Sequence, residues 1–531
     1  MTLSLHRGLA AALLSATLLV SVSAASAETT IRRGNGGEPQ TLDQAHISID
    51  VEGFVVRDLF EGLTIYDPTG KVVPGTAESW TVSDDGTVYT FKIRENAKWS
   101  NGDPVTADDF VYSWTRLLNP DEAAEYAFML HPVKGAKAYN TKTGDVAGVG
   151  LKAIDAKTLE VTLERPTPYF LQLATHYTAI PVHKGNIEQF GKDFTKPGNM
   201  ISNGAYVLTG FVAGGEITAA KNPNYWDAAN VKIDKVVYTL TEDMPATQRM
   251  FEAGELDVVY QFQADQLDFL TEKLGADQIK VAPNLATYYY VFDNRTPPFD
   301  DVRVRTALSM AVDRDFLSEK IFTNSYLPSY AFVPPGMEGY TPVPVEWSSM
   351  DQLDREDKAK ELLKEAGYGE GGKPLKIDIR YNTSENHKKV ATAVADMWKA
   401  IGVEVTMQNL DVKSHYAYLQ EGGIFQVARA GWAADYADPE NFLSLLTSEN
   451  ATFNYGHWKN ADYDALMKQS YAETDPAKRM EVLQKAEALM AKEQPVSPFL
   501  NNGSLWLVNR KVKGFENNAV NEHLTKYLSI E

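Results

Sequence analysis

The chain contains no cysteine, so no disulfide, no thiolate metal site and no cysteine nucleophile can be built from it. Positive charge is in deficit: 51 lysines and arginines stand against 71 aspartates and glutamates, a formal net charge of −20. That balance argues against nucleic acid as a partner, because a phosphate backbone demands clustered basic side chains. There are only 9 histidines, and no two fall at ligand spacing on a helix. No G-x-S-x-G elbow, H-E-x-x-H pair or G-x-x-x-x-G-K-[ST] loop occurs. Asn460, Asp462 and Asp464 imitate the start of a calcium loop, but Ala465 stands where that loop requires glycine. No cofactor or metal is therefore expected, and an enzyme is not expected, since no nucleophile or positioned acid–base pair is marked out. Apart from the first residues, no stretch approaches the ~20 apolar residues that span a bilayer.

What is present is a long and compositionally ordinary chain. Its 531 residues exceed what one hydrophobic core usually serves, so several domains are expected. With 44% hydrophobic and 23% charged residues, wholesale disorder is excluded. At the start, His6 and Arg7 precede an apolar run from Leu9 to Val20, and Ala25-Ser26-Ala27 follows. Those three cues, in that order, read as a secretory signal over residues 1–27, with a buried N-terminal helix as the competing reading. No cysteine stands at the cleavage position, so the product is expected free in a bacterial periplasm, without a lipid anchor.

Beyond residue 27 strand-like and helix-like patterns alternate, predicting mixed α/β architecture. In residues 87–94, Tyr89, Phe91 and Ile93 share one face, as a half-buried strand requires. Thr106 to Asp109 predicts a capped helix running through Phe110 and Trp114. Val304, Ala307, Leu308 and Ala311 form a helical stripe within 303–321, and Val390, Val394, Met397, Trp398 and Ile401 form another within 387–401. Residues 356–366 predict a charged helix stopped by Gly367. Aromatic residues make up 11% of the chain. Clusters such as Tyr288-Tyr289-Tyr290 and Trp432 to Tyr436 fit either core packing or a recognition surface.

The segment PGTAESWTVSDDGTVYTFKIRENAKWSNGDPVTADDFVYSW, Pro74 to Trp114, resembles the signature block of the family 5 extracellular solute-binding proteins. Further blocks agree in order: SNGAYVL from Ser202, RMFEAGELDVVY from Arg249, PPFDDVRVRTALSMAVDRDF over 297–316, ELLKEAGY ending at Tyr368, and RAGWAADYADPENF over 429–442. The last block and YNTSENHKK (381–389) resemble the oligopeptide-binding branch. The resemblance implies a three-domain periplasmic-binding-protein-like α/β fold whose two lobes close by a hinge around a ligand. By that resemblance domain I comprises 28–61, 183–285 and 503–531, domain II 62–182 and domain III 286–502, with hinge segments near 285 and 502. It implies a receptor for short peptides that delivers them to the permease subunits of an inner-membrane ABC importer, acting as a monomer. A murein tripeptide or another modified peptide is the alternative cargo, with haem or a nickel chelate further off.

The resemblance also suggests a ligand-binding set. Asp435, in Trp432-Ala433-Ala434-Asp435-Tyr436, matches the acid that takes the peptide's α-ammonium. Its apolar flanks independently demand a cationic partner, either a lysine or arginine of the protein or the ligand itself. Trp432 and Ala433 are expected beside the ligand, and Tyr126 matches a tyrosine of domain II that contacts it. Arg429 and His387 match basic positions that can receive the C-terminal carboxylate. His387 also falls in a first helical turn, which favours anions, although it shares a face with Val390 and Val394 and could be a core histidine. Two departures stand out: a family arginine falls at Gln420, and an acid of some relatives falls at Ser48. Together they imply a smaller positive reception area and a weakened preference for basic residues.

Overall fold

The computed structural model describes residues 28–369 and 371–531, so the signal assigned to residues 1–27 lies outside the described residues. Its frame is an 11-stranded mixed sheet. From one edge to the other run Val403–Leu410, Leu375–Asn382, Val427–Ala433, Ile279–Phe292, Val496–Val508, Val258–Tyr260, Thr30–Gly34, Lys235–Thr239, Glu216–Lys221 and Tyr206–Val212, with Leu327–Pro328 paired to Val496–Val508. Two long antiparallel strands, Ile279–Phe292 and Val496–Val508, carry the chain between the two halves. Their register is interrupted between Pro283 and Thr287, where Pro283 pairs Gly503 and Thr287 pairs Asn501. The interruption bends the ladder where the halves meet.

A separate 4-stranded antiparallel sheet orders Ala77–Val82, Val88–Ile93, Thr158–Thr162 and Leu151–Asp155. Its second strand has the alternation read from sequence: Tyr89, Phe91 and Ile93 are buried. Helix Ala107–Leu118 covers this sheet, with Phe110, Trp114, Leu117 and Leu118 buried. Asp109 closes its first turn by accepting from the Thr106 amide at 2.8 Å and the Thr106 hydroxyl at 2.9 Å. Helix Glu385–Ala400 starts after Ser384 and buries Val390, Val394 and Trp398.

Two helices depart from expectation. The stripe at 303–321 is not one helix: Val302–Met310 ends, and Asp313 caps a new turn by accepting from the Phe316 amide. A buried arginine, Arg314, forces the re-start, because its guanidinium donates to the Ser309, Val312, Ser329 and Pro498 carbonyls. The helix expected over 356–366 is longer, Gln352–Glu365, because Asp351 supplies an N-cap. Asn460 is likewise a helix cap, accepting from the Asp462 and Tyr463 amides. The Tyr288-Tyr289-Tyr290 run is core, with alternate rings in the two clusters on opposite faces of the sheet. Among the described residues no helix is long and apolar enough to cross a membrane.

Candidate functional site

Strand Val427–Ala433 organises the site. It pairs with Ile279–Phe292 along its whole length, from Phe292 opposite Val427 to Ala286 opposite Ala433. On its other side Leu375–Asn382 meets only Val427 and Ala428. From Gly431 to Ala433 that edge has no strand partner among the described residues, which leaves peptide N–H and C=O groups for a guest. Arg429 lies at one end of this free stretch. Trp432 and Ala433 lie at the other, and Asp435 follows immediately.

Asp435 stands where two cavities meet, one of about 630 Å³ and one of about 360 Å³. The larger includes Trp432, Tyr436, Phe453, Arg165 and Lys137, and the smaller includes Tyr126, Ala433, His176 and Tyr177. The Tyr126 hydroxyl donates to Asp435 Oδ1 at 3.4 Å, and the Asp435 amide donates to Asn441 Oδ1 at 3.3 Å. The same Asn441 oxygen accepts from Trp432 Nε1 at 2.8 Å, so one side chain orients both the wall and the acid. No lysine or arginine forms an ion pair with Asp435 among the described residues. Burial accordingly pushes its carboxyl up to about 6, the hydrogen bonds from Asn441 and Tyr126 pull it down, and Asp50 adds to the rise. The sequence left open whether the partner would be internal, and the described residues provide none.

Tyr126 is held by stacking on His176, with ring centroids 5.1 Å apart. Tyr169 stacks on Tyr436 at 4.8 Å, and Arg165 lies over Tyr471 at 3.9 Å, so the small-sheet region touches the Asp435 loop with aromatic faces.

At the other end Arg429 Nη1 donates to the Tyr416 hydroxyl at 2.8 Å and to Asn382 Oδ1 at 3.1 Å, and its guanidinium lies 4.7 Å over the Tyr288 ring. Its Nε has no partner. Gly431 gives it room, since a β-carbon there would sit 2.9 Å from Arg429 Nη2. His387 approaches the Tyr288 hydroxyl at 3.3 Å through Nδ1. Burial first, and Arg429 second, pull His387 down to about 3; burial and Arg429 also pull His415 down to about 4. Both rings are therefore neutral at pH 7, and Arg429 is the charge of this cluster. Gln420 is exposed at the end of helix Val412–Gln420 and adds no cation.

The structure thus gathers Asp435, Tyr126, Trp432 and Ala433 at one end of the strand, and Arg429 and His387 at the other.

The profile of the bacterial extracellular solute-binding proteins, family 5 (middle region), matches residues 71–454. The chain is a family 5 solute-binding protein. It is 40% identical over 513 residues to the periplasmic oligopeptide-binding protein OppA of Salmonella typhimurium, covering 94% of each chain. Among solved structures it superposes on the murein tripeptide-binding protein MppA, in its unliganded open form, with a TM-score of 0.83 at 37% identity, covering 95% of this chain and 98% of that one. It superposes on Haemophilus influenzae OppA in complex with RPPGFSPFR with a TM-score of 0.80 at 34% identity, covering 95% and 99%. The fold is that of the periplasmic binding proteins.

Sequence reading missed several residues of this solute-binding protein. Ser48 lines the smaller cavity, and Asp50, two positions on, lines it too, as does Glu522 from the far end of the chain. The expected loss of negative charge at Ser48 is therefore not what the cavity has. Asn441 sat inside a quoted motif and Tyr288 inside a flagged aromatic run. No local pattern marks Glu522, Arg57 or His415.

Proposed function

We propose that the protein is a periplasmic receptor for short peptides, exported by a cleaved signal and serving an ABC importer, without catalytic activity of its own. The observation that carries this reading is Asp435: a carboxylate with no basic partner, raised by burial, at the end of a strand whose edge is open. Desolvated carboxylates are costly unless a cation completes them. A peptide's α-ammonium supplies that cation, and its main chain supplies the missing strand, a mode that gives affinity without reading side chains. Arg429 sits four strand steps from Ala433, about 13 Å at ~3.3 Å per step. It has free guanidinium donors for the carboxylate at the other end.

A murein tripeptide keeps both termini and is compatible with the same anchors. A haem or nickel chelate offers no ammonium for Asp435 and is disfavoured. Titration calorimetry with Ala-Ala-Ala and with N-acetyl-Ala-Ala-Ala tests the reading. Binding of the free tripeptide with loss of at least a hundredfold on acetylation supports it; equal binding of both, or of neither, contradicts it. Mass spectrometry of the same mixture should return the tripeptide intact.

A further inference from the structure

The smaller cavity carries more negative charge than one α-ammonium can answer. Three carboxylates line it, Asp50, Asp435 and Glu522, with one guanidinium, Arg57. Arg57 is already matched, since its Nη2 lies 2.7 Å from Glu522 Oε1 and it rests over the Tyr177 ring at 4.8 Å. His176 adds no charge, because burial and Arg57 hold it well below its ordinary range. With Asp435 assigned to the α-ammonium, Asp50 is left over.

Asp50 is not explained by the helix it begins, Asp50–Leu59. The capping of that helix is done by Glu52, whose carboxylate accepts from the Ser48 amide at 2.8 Å, the Ile49 amide at 3.3 Å and the Gln40 amide at 3.2 Å. Among the described residues Asp50 itself accepts no hydrogen bond and makes no ion pair; burial raises its carboxyl, and Arg57 lowers it only from a distance. It is exposed and lines the same cavity as Asp435, Glu522 and Tyr177, where burial raises those three groups and Asp50 adds to the rise. The remaining walls combine aliphatic residues such as Ile49, Leu285 and Val520 with the rings of Tyr66, Tyr126, Tyr177 and Tyr436, and aromatic faces with a carboxylate at the rim are a setting for an ammonium or guanidinium group. A cavity of about 360 Å³ has room for a long side chain.

We infer that this cavity is a subsite for a second cation of the ligand, the basic side chain of the peptide's first residue, with Asp50 as the residue that selects it. The inference rests on the peptide reading and refines it. A lysine or arginine side chain next to the bound α-ammonium would balance the carboxylate that the main-chain anchor leaves uncompensated.

The test compares Lys-Ala-Ala with norleucine-Ala-Ala, whose side chain keeps the four carbons of lysine and lacks the ammonium, by titration calorimetry on the wild type and on Asp50→Asn. Asp50 has no structural bond to lose, so the variant should fold, and its melting curve checks this. The expected result is at least a tenfold preference of the wild type for Lys-Ala-Ala, reduced to threefold or less in Asp50→Asn. Equal binding of the two peptides by the wild type, or an unchanged preference in the variant, would overturn the subsite while leaving the receptor reading intact. Failure of both peptides to bind would remove the receptor reading and the subsite together.

Discussion

A carboxylate that folding buries without a partner costs the empty protein stability. Asp435 has an ordinary value of 3.8 and is pushed up to about 6, so the penalty is absent below about pH 4, develops between those two values and is complete above pH 6. Its size is about 2 kcal/mol, taking ~1.4 kcal/mol per unit and allowing for residual solvent contact. Asp435→Asn should therefore melt higher than the wild type when both are empty at pH 8, and the gap should close toward pH 4 in differential scanning calorimetry. A purely structural Asp435 would give the opposite sign. Ligand binding reverses the preference: Asp435→Ala is expected to weaken tripeptide binding by ~3–5 kcal/mol, the cost of leaving one partner of a buried ion pair alone. Because only the ionised acid holds an ammonium, wild-type affinity should fall as pH drops through about 6. At the opposite anchor, amidating the C-terminus of a tripeptide should cost about 1.5–3 kcal/mol in the wild type and nearly nothing in Arg429→Met, since hydrogen bonds to charged groups carry about that much. His387 and His415, neutral near pH 7, should leave the carboxylate end insensitive to pH between 6 and 8.

Elements were legible where one face is apolar and the other is not. The alternation of Tyr89, Phe91 and Ile93 gave the strand Val88–Ile93, and the stripe through Val390 and Trp398 gave the helix Glu385–Ala400. The break after Met310 was hidden, because the apolar stripe continues past it while Arg314 turns inward to bond carbonyls from distant segments. The early start at Gln352 was hidden for the reverse reason: that first turn is polar and depends on the Asp351 cap. The site divides in the same way. Motif residues such as Asp435 and Arg429 could be transferred by resemblance. Asp50 and Glu522 could not, since only the folded chain brings the first helix and the C-terminal segment to one cavity. The crossing strands offer a test at this scale. A β-carbon on Gly503 would lie 1.9 Å from the Ser325 carbonyl oxygen, a backbone atom fixed by the adjoining strand Leu327–Pro328. Gly503→Ala should therefore lower the melting temperature by several degrees, whereas Gly148→Ala, with open space around it and no left-handed backbone, should change it far less.

For the whole molecule, the arrangement of the two half-sheets matters most. They are joined by Ile279–Phe292 and Val496–Val508, with irregular pairing where Pro283 and Gly503 meet. Two adjacent strands with a local defect form a place to bend, and a ligand that touches both sides biases the bend toward closure. Small-angle scattering should show a smaller radius of gyration with saturating tripeptide than without it; an unchanged radius would argue against a closing motion. In the proposed binding mode the ends of the guest are held by groups on one strand and the loop after it, and its side chains enter cavities that other parts of the chain complete. The most direct check of that arrangement is a crystal structure with a tripeptide bound. The account predicts the peptide's amino nitrogen within ion-pair distance of the Asp435 carboxylate and its main chain paired along the open edge from Gly431 to Ala433. An amino group lodged elsewhere, with Asp435 turned to a lysine or arginine of the protein, would contradict it.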